Sequence, residues 1–324
     1  MAVDMSDQEY LVSKSEFKDM IRRFESFKRR NGREPRIIYL DRLKRMYVGL
    51  AKFKEMLERW NIFILENGRE PEYINVKPSA PPKSMQIGYW LRYADIDSFQ
   101  PDVAKAKGCS DVFLSSKALK NPSHANNFIS ACHEQKIQVH AWTQCLYRNG
   151  VFISPDNPNN RARIKKEIER SLTLGFDGVH FDYIRYPGAA PSDGYKRITN
   201  LLYDLWSHAK SVERKAVVSA ALMPEKQANS KYYGQCYKCM APYLDVEIPM
   251  AYKGNYRAGR SWIADVTRYV VKESQRPVWT GLQTYRSDAD PTPLPSSELE
   301  ADIRAARDAG AQKTILFRYG LSVI

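Results

Sequence analysis

Eight short apolar runs punctuate the stretch from Met85 to Ile324, with amphipathic segments between them. The runs are Met85–Tyr89, Asp111–Ser115, Gln138–Trp142, Gly178–Asp182, Val217–Leu222, Val246–Tyr252, Val278–Leu282 and Thr314–Arg318. Helical stretches such as Arg161–Leu174 and Ser297–Ala309 lie among them. Strands alternating with helices build β/α units, and about 240 residues is the usual size of an eight-stranded β/α barrel. The predicted fold class is α/β: a (β/α)8 TIM barrel, preceded by a small α-helical repeat domain. A doubly wound open sheet is the structural alternative. No G-x-G-x-x-G or P-loop follows any of the runs, so nucleotide binding has no local support.

Ahead of the barrel lies an internal repeat. Phe17 to Pro35 reads FKDMIRRFESFKRRNGREP and Phe53 to Pro71 reads FKEMLERWNIFILENGREP, a constant offset of 36. Apolar residues recur at helical spacing in both copies: Phe17, Met20, Ile21, Phe24, Phe27, then Phe53, Met56, Leu57, Trp60, Phe63. Asn-Gly suits a helix C-terminus, where a left-handed residue is needed, and Pro35 and Pro71 prevent continuation. Neither copy can bury its own face, so the two are expected to pack together. Lys77 to Ser84, KPSAPPKS, reads as a linker. The expected domains are residues 1–76, a linker at 77–84, and the barrel at 85–324.

The repeat resembles the pseudomurein-binding repeat of methanogen-virus lytic enzymes and archaeal surface proteins. Asn31, Gly32, Arg33 and Pro35, and again Asn67, Gly68, Arg69 and Pro71, carry the resemblance. It implies wall binding by these residues. The plainer alternative is a helical hairpin serving as a spacer.

The chain has 50 basic and 37 acidic residues, a formal charge of +13. The excess is 17 against 13 up to Ala80 and 33 against 24 beyond it. Such a field favours an anionic partner. Nucleic acid is the default, but no recognition motif supports it; an acidic wall polysaccharide is the expected partner, with no nucleic acid, no membrane and a monomeric chain. No run approaches the roughly 18 apolar residues of a membrane span, and Met1 to Glu16 lacks the apolar core of a secretory signal. Five cysteines do not make a disulfide framework. The lone Cys236-x-x-Cys239 has no second ligand pair for zinc, so no metal or cofactor is expected.

In a β/α barrel, function gathers at the C-terminal strand ends. The fourth run continues as Asp177-Gly178-Val179-His180-Phe181-Asp182-Tyr183-Ile184-Arg185-Tyr186-Pro187. Alternation puts Gly178, His180 and Asp182 on one face, and Asp182 tops the strand. Beside His and Arg it is expected to stay ionised, as a nucleophile or a stabiliser of an oxocarbenium-like state. This motif is similar to the fourth strand of a glycoside-hydrolase-like barrel family, with His140-Ala141-Trp142 on the third strand and Pro249 and Tyr252 on the sixth as further matches. Chitinase-like barrels read D-G-x-D-x-D-x-E here. In this chain His180 replaces an Asp, and Ile184 falls where their acid Glu stands, so the acid must come from elsewhere.

Glu225, at the end of the fifth run, is the expected acid; Glu247 is the weaker candidate, because alternation turns it toward the helices. Expected substrate contacts are Tyr89, Trp90, Arg92, His140, Trp142, His180, Arg185, Tyr186, Tyr252, Lys253, Gln283 and Tyr285: aromatic platforms for sugar faces and cations for anionic groups. The two resemblances together imply a wall-anchored glycosidase, an endolysin of an archaeal virus, acting on the pseudomurein glycan after release by cell lysis or from a virus particle. The alternatives are a cysteine peptidase using Cys145 with His140 or His180, and a non-catalytic wall-binding protein.

Overall fold

A computed structural model describes residues 10–40, 46–76 and 86–321 of the chain. The expected linker and Met85 lie outside the described residues. The chain divides into two compact units, Met1–Lys83 and Ser84–Ile324.

In the first unit, helices Lys14–Asn31 and Leu50–Asn67 obey the 36-residue offset. Each ends on a left-handed glycine, Gly32 and Gly68, both at φ 64°. A Ser13–Glu16 capping box starts the first helix, and Gly49 caps the second without a side chain. Short strands accompany the helices: Tyr10–Ser13 pairs antiparallel with Tyr73–Val76, and Ile37–Tyr39 with Tyr47–Gly49. One core joins the copies. Phe17 and Phe53, Met20 and Met56, Phe24 and Trp60, Ile38 and Ile74 are all buried in it, each pair 36 apart. Glu34 reaches Lys54 of the second copy at 2.7 Å and Glu70 reaches Lys18 of the first at 2.6 Å.

The second unit is a ring of eight parallel strands: β1 (Gln86–Leu91), β2 (Cys109–Ser115), β3 (Gln138–Gln144), β4 (Gly178–Asp182), β5 (Val217–Leu222), β6 (Val246–Pro249), β7 (Trp279–Gln283) and β8 (Lys313–Phe317). The ladder runs β6-β5-β4-β3-β2-β1-β8-β7. Between β6 and β7 only two isolated parallel bridges remain, Glu247–Val278 and Met250–Gly281, so the sheet all but closes. Helices such as Pro158–Thr173 and Gly194–Val212 cover the outside. Trp90, Phe113, Ile248, Trp279 and Ile315 fill the inside. Gly178 is required by close approach: a Cβ there would overlap the Val217 carbonyl oxygen and crowd Nδ1 of His140. No described helix is long and apolar enough to cross a membrane.

Candidate active site

Asp182 stands at the C-terminal tip of β4. Its Oδ2 accepts the Trp142 indole N–H at 2.9 Å, and its Oδ1 accepts the Tyr183 amide at 2.7 Å. Tyr183 is left-handed, φ 52°, a conformation uncommon outside glycine and worth noting at a strand end. Burial pushes the Asp182 pKa up, against the two hydrogen bonds and the Arg185 charge. Arg185 does not contact it; the guanidinium stacks over Tyr183 at 5.0 Å and Tyr233 at 5.4 Å.

Two further carboxylates lie just past barrel strands, one after β5 and one after β7. Glu225, just past β5, accepts on Oε1 from Tyr233 at 3.2 Å and Tyr256 at 2.5 Å. Asp288, in the loop after β7, accepts from the Tyr285 hydroxyl at 2.7 Å and the Asn255 amide at 2.9 Å. Burial first, and then the Asp182 and Asp288 charges together, push the Tyr252 phenol well up; the same two charges act on Tyr183. No motif in the sequence surrounds Asp288. Its one signal is position, shortly after the end of a barrel strand. Tyr252 stacks on Phe317 at 5.4 Å and 16°. Arg185 Nε, Glu225 Oε2, Gln283 Oε1 and Arg318 Nε are buried with no partner among the described residues.

Other expected contacts sit elsewhere. Tyr89 faces the helix layer, against Phe99 and Tyr319; adjacent strand residues cannot both face inward, and Trp90 takes the inner side. Trp90 and His180 lie beneath the mouth. The Trp90 indole donates to His180 Nε2 at 3.1 Å, so Nδ1 carries the hydrogen toward Ser219 Oγ at 3.0 Å. Burial holds the His180 pKa well below its ordinary value. His140 is deeper still, fully buried, with Nε2 3.1 Å from Asp111, which Lys313 pairs at 2.6 Å. Tyr186 is buried against Phe152. Lys253 is spent on Glu298 and Asp302, at 2.6 and 2.5 Å. All six are buried or paired within the fold. Trp142, Arg185, Tyr252 and Tyr285 remain at the mouth, with Gln283 buried beneath it on Asn255 at 3.1 Å, and Arg92 borders a cleft on the β1 side.

Glu247 is buried near Ser274 and Arg276, facing the helices as alternation requires. Ile184, at the chitinase acid position, is fully buried. The peptidase alternative loses its nucleophile: Cys145 is fully buried, its thiol bonds to the Thr143 carbonyl, and burial pushes its pKa well up. Cys236 and Cys239 form a disulfide. No group of metal-ligating side chains assembles among the described residues.

The repeat motif residues are engaged locally. Asn31 and Asn67 bond the Phe27 and Phe63 carbonyls at 2.8 and 2.9 Å, and Pro35 and Pro71 are buried. Arg33 and Arg69 are exposed over the Phe27 and Phe63 rings, at 5.4 and 5.5 Å.

Residues 11–40 match the family model of the pseudomurein-binding repeat. No curated protein matches the chain. The fold is similar to a class V chitinase from Pseudomonas fluorescens Pf-5, at TM-score 0.56 and 14% identity over 74% of this chain and 96% of that one. It is also similar to the spore cortex-lytic enzyme SleL of Bacillus megaterium QM B1551, at 0.54 and 12% over 92% and 81%. The exo-β-1,4-mannosidase Op5Man5 of Opitutaceae bacterium strain TAV5 matches at 0.53 and 12%, over 73% of this chain and 52% of that one. At these identities the likeness is one of fold.

Proposed function

We propose that the protein is a glycoside hydrolase that cuts the glycan of an archaeal cell wall, pseudomurein, and is held on that wall by its N-terminal repeats. The observation that carries the reading is Asp182: a carboxylate at the tip of β4, its pKa raised by burial, at the strand end of a barrel that also carries Glu225 past β5 and Asp288 past β7, and beside aromatic faces. A carboxyl whose pKa is raised is better suited than an ordinary one to protonate a leaving glycosidic oxygen. Each Asp182 oxygen accepts one hydrogen bond and keeps a further lone pair for that proton.

Glu225 acts as the partner carboxylate, attacking the sugar or activating a water. Arg185 favours this pairing, because its guanidinium spans Tyr183, next to Asp182, and Tyr233, which holds Glu225. Asp288 is a second reading for the partner, favoured by the charge it shares with Asp182 on Tyr252. Trp142 and Tyr252 offer faces for sugar rings. The repeat match supports the wall as the location, and linkage to a binding unit raises the local concentration of the site without new contacts in it. The fold neighbours, a chitinase and a cortex-lytic enzyme by name, are consistent with glycan cleavage.

The test is product analysis by mass spectrometry and reducing-end assay on purified pseudomurein. Asp182→Asn is expected to lower the rate by about 10²–10⁴-fold, the usual contribution of a general acid. Glu225→Gln should match that loss, with Asp288→Asn much milder; the reverse order would assign the partner to Asp288. Release of amino groups without reducing ends would overturn the glycosidase reading.

A further inference from the structure

The carboxylates and tyrosines of the mouth belong to β4–β7. The loops after β1–β3 build a region of opposite character. A cleft of about 1140 Å³ extends from Trp142 and Gln144 to the helix Pro158–Thr173. It begins beside Asp182, whose register partner is Gln144 and whose hydrogen-bond donor is Trp142. Its walls carry six cations, Arg92, Lys117, Lys120, Arg148, Arg163 and Arg170, against one carboxylate, Glu167. Some of this charge is spent within the protein. Asp95 holds Arg92 at 2.7 and 2.8 Å, Glu167 holds Arg163 at 2.7 Å, and Arg170 donates to the Leu119 carbonyl at 2.7 Å. Lys117, Lys120 and Arg148 are exposed and have no carboxylate partner among the described residues. Like charges gathered without counter-charges repel one another, and a cleft lined by one sign concentrates ligands of the other.

We propose that this cleft is an extended subsite for a carboxylate-bearing glycan strand, with Lys117, Lys120 and Arg148 facing the acid groups of sugars next to the bond at Asp182. The inference rests on the glycosidase reading for the position of the cut. The substrate strand then crosses the mouth with its acidic sugars over β1–β3 and the cleaved residue over β4–β7. One exposed charge contributes less than about fivefold; three acting on one strand multiply.

The probes are soluble pseudomurein fragments made by sonication, used as prepared, stripped of peptide, or with sugar carboxyls reduced to alcohols. The full-length Lys117→Gln/Lys120→Gln/Arg148→Gln protein is compared with the parent. We expect KM on unreduced fragments to rise about tenfold with kcat unchanged, whether or not peptide is present, and no change on carboxyl-reduced fragments. The parent's KM should also rise with salt more steeply than the variant's. An equal change on reduced and unreduced fragments, or none on either, overturns the subsite. A difference that vanishes when peptide is removed overturns its assignment to the glycan. Should the parent cleave no fragment, the glycosidase reading falls; dissociation constants for the same fragments then decide the subsite by the same criteria.

Discussion

The barrel holds one aspartate deep inside and one at its mouth, and their surroundings drive them in opposite directions. Asp111 near the start of β2 is fully buried, which alone would raise its pKa. His140 at 3.1 Å and Lys313 at 2.6 Å outweigh burial and hold it below the ordinary carboxylate value. Asp182 at the end of β4 has hydrogen-bond donors but no cation in contact, and burial wins. One carboxylate is neutralised within the fold and the other is left to exchange a proton. The difference follows the general division of β/α barrels into a stabilising end and a functional end.

That division can be broken by substitution. Asp111→Asn leaves Lys313 and His140 without their anion, and breaking a buried pair on one side costs about 3–5 kcal/mol; the denaturant midpoint should fall accordingly, with activity per folded molecule retained. Gly178→Ala forces a methyl group against the Val217 carbonyl and the His140 ring, and overpacking of this kind costs about 1–3 kcal/mol. Asp182→Asn should cost less than Asp111→Asn, about 1–3 kcal/mol, since it leaves one N–H donor without its acceptor but breaks no ion pair. If Asp182→Asn proved the most damaging of the three to stability, the mouth would be a structural feature.

The two aspartates also impose opposite pH dependences on stability. Folding lowers the Asp111 pKa, so its contribution is present above the unfolded value of about 3.9 and lost as pH falls through the folded value. Folding raises the Asp182 pKa. Its contribution is full below about 3.9 and is lost as pH rises through the folded value.

The eight strands were legible because apolar runs and helical crossovers alternate without interruption, and Gly178–Asp182 and Val217–Leu222 have the predicted bounds. The sixth strand is shorter than its apolar run, Val246–Tyr252: it ends at Pro249, and the chain then tightens, the Tyr252 amide donating to the Met250 carbonyl at 2.9 Å. Errors at the site have two physical sources. Tyr89 failed on register, since Trp90 already claims the inner face. His140, His180 and Lys253 are held within the fold, and residue type conceals such depth and distant partners: Asp111 for His140, Trp90 for His180, Glu298 and Asp302 for Lys253. Asp288 was invisible because only the packing of the β7 loop brings it to Tyr285 and Asn255. In the repeats the signal was strong but mixed. Asn, Gly and Pro mark a helix end, and only Arg33 and Arg69 of the motif's side chains are left exposed over an aromatic ring.

The pH–rate profile of reducing-end release from pseudomurein, for the parent and Asp182→Asn at matched folded concentrations, tests the role of Asp182 most directly. The parent's rate should fall as pH rises through the elevated Asp182 pKa, while Asp182→Asn stays folded and loses both the rate and that alkaline limb. Substantial activity in Asp182→Asn with the same alkaline limb would contradict it.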